Sequence, residues 1–247
     1  MKLTIKAIVF TCASLLTIGS AAQGQTLLNV KIGATTLNGG ADGVYQEGAA
    51  VLGSASSWWN EYAYVSSTPY QVSVVDNFDA AIAGVTLTVQ NSGGTGTKAT
   101  SGTNPGFLFG SMPYQNAGGV FTISLTGLSA NTQYEFIGYA ARTSSSAGAS
   151  WAVTTGTFDS GTTLNDGTSM DITTGVGKSY SDFLATTDGS GNLTITDSGN
   201  PGTSITVLAG FQLQSVINVP EPGVGALLLG GCGLLFACRR FRISRAS

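Results

Sequence analysis

Residues 120–142 read VFTISLTGLSANTQYEFIGYAAR. Phe121, Ile123 and Leu125 alternate with Thr122, Ser124 and Thr126, and Tyr134 and Phe136 resume the pattern, with Tyr139 nearby. A period of two puts the apolar side chains on one face of an extended chain, which is the signature of a half-buried β-strand. The same pattern recurs at Leu28, Val30 and Ile32, at Val72 and Val74, and at Val85, Leu87 and Val89. It returns at Trp151 and Val153, Leu193 and Ile195, Ile205 and Val207, and Phe211 and Leu213. Turn clusters separate these runs: Asn38-Gly39-Gly40, Asn91 to Gly94, Ala117-Gly118-Gly119, Asp188 to Asn192 and Asp197 to Asn200. No window carries capped helical spacing, and no fixed-period repeat suggests a solenoid or propeller. The expected fold is all-β: a single antiparallel β-sandwich with jelly-roll or Greek-key connections over residues 23–216. Thr143 to Ser150 and Gly93 to Gly106 read as loops within it.

Composition agrees. Only 9% of the 247 residues are charged, against about 25% in an ordinary soluble domain. The absence of histidine removes every mechanism that needs an imidazole base or metal ligand. The net charge of −3 is an average over unlike parts. Between residues 23 and 216 only Lys31, Lys98, Arg142 and Lys178 are basic, against twelve acidic residues, so that region carries −8. Such a charge opposes binding to nucleic acid or to anionic lipid, both of which select basic surfaces.

The basic residues that balance it flank two apolar segments. Near the start, Lys2 and Lys6 precede the apolar run Ala7 to Ile18, and Ser20, Ala21 and Ala22 supply small residues. These are the three parts of a secretory signal peptide, with cleavage expected after Ala22 and Gly24 as the alternative. The run is too short for a bilayer span of roughly 20 residues. At the other end, Val224 to Cys238 is apolar and is followed by Arg239, Arg240, Arg242 and Arg245. Four arginines directly after such a segment oppose burial in a core. They suit a short transmembrane helix whose arginines stay cytoplasmic, with the preceding chain outside. The three cysteines, Cys12, Cys232 and Cys238, all fall in these terminal segments. The region between therefore has neither disulfides nor cysteine-based catalysis or zinc binding.

The order Val219-Pro220-Glu221-Pro222, apolar segment, arginine cluster resembles the PEP-CTERM sorting signal. The resemblance covers about residues 218–245. It implies recognition by an exosortase, a membrane-embedded, cysteine transpeptidase-like enzyme of Gram-negative bacteria that make exopolysaccharide. Pro220, Glu221 and Pro222 would then be the recognition motif and Arg239, Arg240 and Arg242 the stop-transfer flank. The two prolines fix φ and remove two backbone donors, which keeps the segment out of helices and central strands. The resulting organisation is a signal peptide (1–22), a β-sandwich ectodomain (23–216) and a sorting and anchor segment (217–247). Signal peptidase and exosortase are the implied processing partners. The implied route is export through an inner-membrane intermediate to the cell surface or extracellular matrix. The stretches Gly48 to Tyr62, Val74 to Val89 and Val120 to Arg142 are similar in order to β-sandwich ectodomains of PEP-CTERM proteins in planctomycetes and verrucomicrobia. Those ectodomains lend no activity to this one.

No catalytic constellation emerges. Glu47, Glu61 and Glu135 are the only glutamates of the body, and no motif pairs two carboxylates as glycoside hydrolysis needs. A serine nucleophile has no histidine base and no Gly-x-Ser-x-Gly elbow. Asp159 to Asp171 and Asp188 to Asp197 have the oxygen chemistry for a structural Ca²⁺ but match no calcium-loop pattern. Asp and Asn at turns more often bond to their own backbone. The remaining candidate is the aromatic cluster Trp58, Trp59, Tyr62 and Tyr64. Rings stack on the apolar faces of sugars, so Trp58, Trp59 and Tyr62 form a candidate glycan site for exopolysaccharide. Adjacent Trp58 and Trp59 on a strand face opposite ways, and core packing competes for both. The expectation is a non-catalytic surface or matrix protein, with carbohydrate binding as the alternative.

Overall fold

Val85, Leu87 and Val89 are buried, while Thr86 and Thr88 between them are only partly so. That alternation recurs in many of the strands, of which sixteen are formed among the described residues. They are β1 (Leu27–Gly33), β2 (Val44–Gly48), β3 (Ser57–Ala63), β4 (Tyr70–Val75), β5 (Ala81–Asn91), β6 (Thr95–Ala99), β7 (Ser111–Asn116) and β8 (Phe121–Thr126). There follow β9 (Gln133–Tyr139), β10 (Ala149–Thr155), β11 (Thr157–Thr162), β12 (Leu164–Asn165), β13 (Tyr180–Thr186), β14 (Leu193–Asp197), β15 (Ile205–Val207) and β16 (Gly210–Ser215). The computed structural model describes residues 27–33, 44–48, 51–53, 57–63, 70–92, 95–99, 108, 111–116, 118–141, 147–201 and 205–216. Among these the one described helical element of more than a single residue is a 3₁₀ turn, Ile172–Thr174, and no helix is long and apolar enough to cross a membrane. The expected signal peptide and the segment 217–247 lie outside the described residues.

The strands form a seven-stranded sheet, β11-β13-β9-β16-β1-β3-β2, and a six-stranded sheet, β12-β10-β14-β8-β5-β4. A three-stranded sheet, β15-β7-β6, is added. All pairings are antiparallel except one: β1 and β3 run parallel, with Val30 opposite Asn60 and Ile32 opposite Tyr62. This departs from the all-antiparallel expectation for a topological reason. The chain leaves β1, takes the outermost position as β2, and returns as β3 into the gap beside β1. The stretch Gly93 to Gly106 also departs from its reading as a loop, because Thr95–Ala99 forms β6 against β7. Its Thr-Gly-Thr-Lys-Ala sequence has no apolar alternation to announce a strand.

The two larger sheets share one core. Phe136 on β9 stacks on Phe211 of β16 at 5.5 Å and meets Phe183 of β13 at 4.9 Å. It also meets the edge of Trp151, on β10 of the other sheet, at 5.4 Å. Each such fully buried aromatic contributes about 1.5–3 kcal/mol of transfer free energy. Asn60 adds a polar staple between the sheets. Buried on β3, it donates to Val75 O on β4 at 2.8 Å and accepts from Val75 N at 2.9 Å. Because both groups of the amide are satisfied, this buried side chain joins the sheets at little desolvation cost.

The turn that joins β8 to β9 is a tyrosine corner. Buried Tyr134 accepts a hydrogen bond from the backbone N–H of Ser129, five residues upstream, at 3.3 Å. Such corners tie the strand that crosses between sheets of a sandwich to the turn before it. Asn131 supplies the left-handed residue (φ 50°) that the turn needs. Gly127, at φ 79°, has no room for a side chain, since a Cβ would lie 2.0 Å from Gly84 O. Between the sheets, Gly138 faces Trp151, and a Cβ there would stand 2.6 Å from Cε2 and Cζ2 of the indole. Gly138→Ala should therefore lower the stability by about 1–3 kcal/mol through overpacking. Its denaturant midpoint in urea checks this, and an unchanged midpoint would mean that the indole is free to shift.

Candidate functional site

One end of the domain combines an exposed phenylalanine with an apolar cleft. It is the end where β1 begins and β16 finishes, and it also holds the β4–β5 turn, the β8–β9 turn and the start of β3. The β4–β5 turn is rigid. Asp76 Oδ1 accepts from the N–H groups of Phe78 and Ala80, each at 2.9 Å, and Asp79 takes φ 65°. Phe78 is thereby held outward and is 77% exposed. Beside it a cleft of about 210 Å³ opens between the sheets, lined by Leu28, Leu213, Ile82, Val85, Leu128 and Tyr134 among others. Its wall is mainly apolar, and the Tyr134 hydroxyl is already engaged with Ser129. The cleft suits an apolar group, and its described lining carries no ionisable carboxylate or amine for acid–base work.

The aromatic candidates separate. Trp58 is half-buried at this end, and its backbone N–H donates to Asn77 O at 3.3 Å. Trp59 is fully buried on the opposite face of β3, 6.0 Å from the Tyr139 ring. Tyr62 is also buried, its hydroxyl donating to Asn60 Oδ1 at 3.4 Å. The opposite facing of the two tryptophans is thus as expected. The glycan-stacking trio is corrected: neither Trp59 nor Tyr62 presents a ring face to a sugar, because both pack inside. Tyr64 lies outside the described residues.

The outer face of the seven-stranded sheet holds groups that sequence reasoning missed. Lys31 on β1 and Glu61 on the parallel neighbour β3 form an ion pair at 2.7 Å, with side chains only 3% and 6% exposed. Gln212 on β16 is the hub beside them. Its Oε1 accepts from Val51 N and Leu52 N, each at 3.0 Å, and from the Tyr139 hydroxyl at 2.5 Å. Its Nε2 donates to Asn29 Oδ1 at 2.6 Å and to Leu52 O at 2.8 Å. Every hydrogen-bonding group of this amide is used, and residues 51 and 52 are pinned over the sheet as a result. Burial raises the Tyr139 hydroxyl well above its usual range, so it stays a donor.

Further along the same face, Glu135 on β9 and Asp182 on β13 sit at diagonal positions, since Glu135 is opposite Leu184 and Asp182 opposite Ile137. Partial burial raises both carboxyls, and the Asp182 charge raises Glu135 further. Burial, with Asp182 second, also raises the Tyr180 hydroxyl. Diagonal neighbours stand about 7–8 Å apart, so these are two half-buried carboxyls suited to bonding hydroxyl groups. Forty-seven residues separate them in sequence, and only strand pairing brings them together. No sequence signal singles them out, because Ile137 and Tyr139 on β9 and Tyr180 and Leu184 on β13 share their face and break the polar alternation.

The aspartates of the two candidate calcium stretches serve the chain. Asp188 accepts from the N–H groups of Asn192 and Ser190, which hold its carboxyl below the usual range. Asp171 caps the 3₁₀ turn through Thr173 N at 2.9 Å, and Asp159 accepts from Gln133 and Thr186. Asp166 pairs with Lys178, and although burial raises it, hydrogen bonds from Lys178 and Thr168 leave it lowered overall. Among the described residues no three His, Cys, Asp or Glu side chains group as metal ligands. The sorting residues Pro220, Glu221 and Pro222 and the arginines Arg239, Arg240 and Arg242 lie outside the described residues. No family model matches the chain, and no curated protein or solved structure is significantly similar to it.

The buried ion pair gives a direct test of the outer face. Removing one partner of such a pair costs about 3–5 kcal/mol, whereas replacing both with apolar groups is often neutral. Lys31→Met should accordingly destabilise strongly by chemical denaturation, and adding Glu61→Leu should restore most of the loss. A double variant no better than Lys31→Met would show that the pair is not the source of the effect.

Proposed function

We propose that this chain is an exported, non-catalytic surface or extracellular-matrix protein, in which a β-sandwich is delivered by its two terminal segments. Signal peptidase removes the first segment, and an exosortase recognises Val219-Pro220-Glu221-Pro222 and processes the second. The observation that carries this reading is the pairing of the first and last described strands, which are hydrogen-bonded neighbours with Leu27 opposite Gln214. Cleavage after Ala22 and near Pro222 would fall outside that ladder and leave every core strand intact. The body has no histidine or cysteine, and its described carboxylates lie in turns, in ion pairs or on the outer sheet face, apart from Asp197, which is buried singly at the end of β14. That supports a scaffold over a catalyst. Carbohydrate retention has lost two of its three proposed stacking rings and is not carried forward in that form.

The sorting step rests on Glu221 and Pro222. In an exosortase-positive host, Glu221→Ala and Pro222→Ala should each leave unprocessed chain in the membrane fraction while leaving synthesis unchanged. Normal C-terminal processing of both variants would overturn the sorting assignment.

A further inference from the structure

At the opposite end of the domain, the interior holds an acid, Asp197, with no counter-charge among the described residues. Asp197, the last residue of β14, is fully buried and faces inward with Leu193 and Ile195. Its Oδ1 accepts from Gly199 N at 2.9 Å and Ser150 N at 3.2 Å, and its Oδ2 has no partner. Its neighbours across the ladder, Trp151 on β10 and Phe121 on β8, are uncharged. Trp151 Nε1 is itself buried and unpartnered. The Trp151 indole lies over Gly138, which pairs with Ser181 of β13, and the buried Ser181 Oγ is unpartnered as well. Strand register thus directs a carboxyl oxygen, an indole N–H and a hydroxyl into one region between the sheets. Other charged groups nearby in sequence point elsewhere. Asp182 belongs to the outer face of β13, and Asp166 and Lys178 pair with each other at the surface.

An ionised carboxylate buried without a counter-charge is among the costliest arrangements in a protein, and such a group sheds its charge instead. The two backbone N–H groups favour the anion but engage only one oxygen. The Trp151 N–H is not bonded to the free oxygen and repels a cation, and no further His, Cys, Asp or Glu groups with Asp197 among the described residues, so the surroundings do not suit a metal ion. We propose that Asp197 is a buried proton-binding site: the folded domain holds it as the neutral acid, and its ionisation loosens the junction of the 197–200 turn with β10.

Burial pushes the Asp197 carboxyl up to about 8 against the pull of the Gly199 and Ser150 N–H groups, while an unhindered aspartate titrates at 3.8. Between these values the folded chain carries one proton more than the unfolded chain. The group's contribution to stability is complete below 3.8 and is lost as pH rises towards about 8. Across that window the folding equilibrium constant falls about tenfold per pH unit, and it levels off above.

The test is chemical unfolding of the full chain in detergent micelles from pH 6 to 9, with and without Ca²⁺. The wild type should lose stability as pH rises to about 8, and Asp197→Asn, which keeps the shape and the Oδ1 acceptor, should lack that slope. A wild type whose stability is flat or rises with pH overturns the proposal. So does stabilisation at pH 8 by Ca²⁺ that Asp197→Asn abolishes, since the site would then hold a cation. Infrared spectroscopy of the wild type covers the case in which the variant fails to fold. The carbonyl band of a neutral carboxylic acid should be present at pH 7 and gone at pH 9, and its absence at pH 7 refutes the proposal.

Discussion

The antiparallel pairing of β1 with β16 is the contact on which the rest of the architecture depends. It joins the two ends of the folded body in the middle of the seven-stranded sheet, from Leu27 opposite Gln214 to Lys31 opposite Gly210. Asn29 and Gln212 reinforce it across 183 residues of sequence. Pairing at such separation closes a very long loop, which is slow and entropically costly to form. Without β16, β1 would be an edge strand and the β1-β3-β2 part would have no hydrogen-bonded link to β9 and β13. Once it docks, β9 and β13 extend the sheet on its other side, and the aromatic core of Phe136, Phe183, Phe211 and Trp151 can close.

The same pairing gives the domain two unlike ends. At one, the chain enters and leaves beside an apolar cleft and the exposed Phe78. At the other, the interior becomes polar around Asp197, Trp151 and Ser181. Between them the outer sheet face is covered at Lys31, Glu61, Tyr139 and Gln212, and half-open at Glu135 and Asp182. A chain with 9% charged residues thus uses several of its few charges inside. Without disulfides in the body, those buried polar contacts hold loop to sheet where a small exported domain often uses a covalent link.

The sequence made the strands with strict alternation legible, and each one named from its apolar residues is present: β1, β4, β5, β8, β9, β10, β14, β15 and β16. The strands that were missed lack the pattern for identifiable reasons. β11 is a fully exposed edge with no face to bury, and β7 carries Pro113. In β13, Phe183 and Ala185 face inward while Tyr180 is also buried and Leu184 partly so, which blurs the period. In β3 the run of aromatic residues hides the period because both faces of the strand are covered, and that covering takes Trp59 and Tyr62 out of reach of a ligand. Periodicity tells which residues share a face. It does not tell which face another part of the chain will cover, so the Lys31–Glu61 pair and the Gln212 hub could only be read as solvent-facing.

We propose that the body is exported and cut at both flanks. The intact mass of the protein recovered from the surface of its host tests it most directly. The account predicts a species that lacks residues 1–22 and ends near the Val219-Pro220-Glu221-Pro222 motif. A mass that includes the whole segment through Ser247 would contradict it.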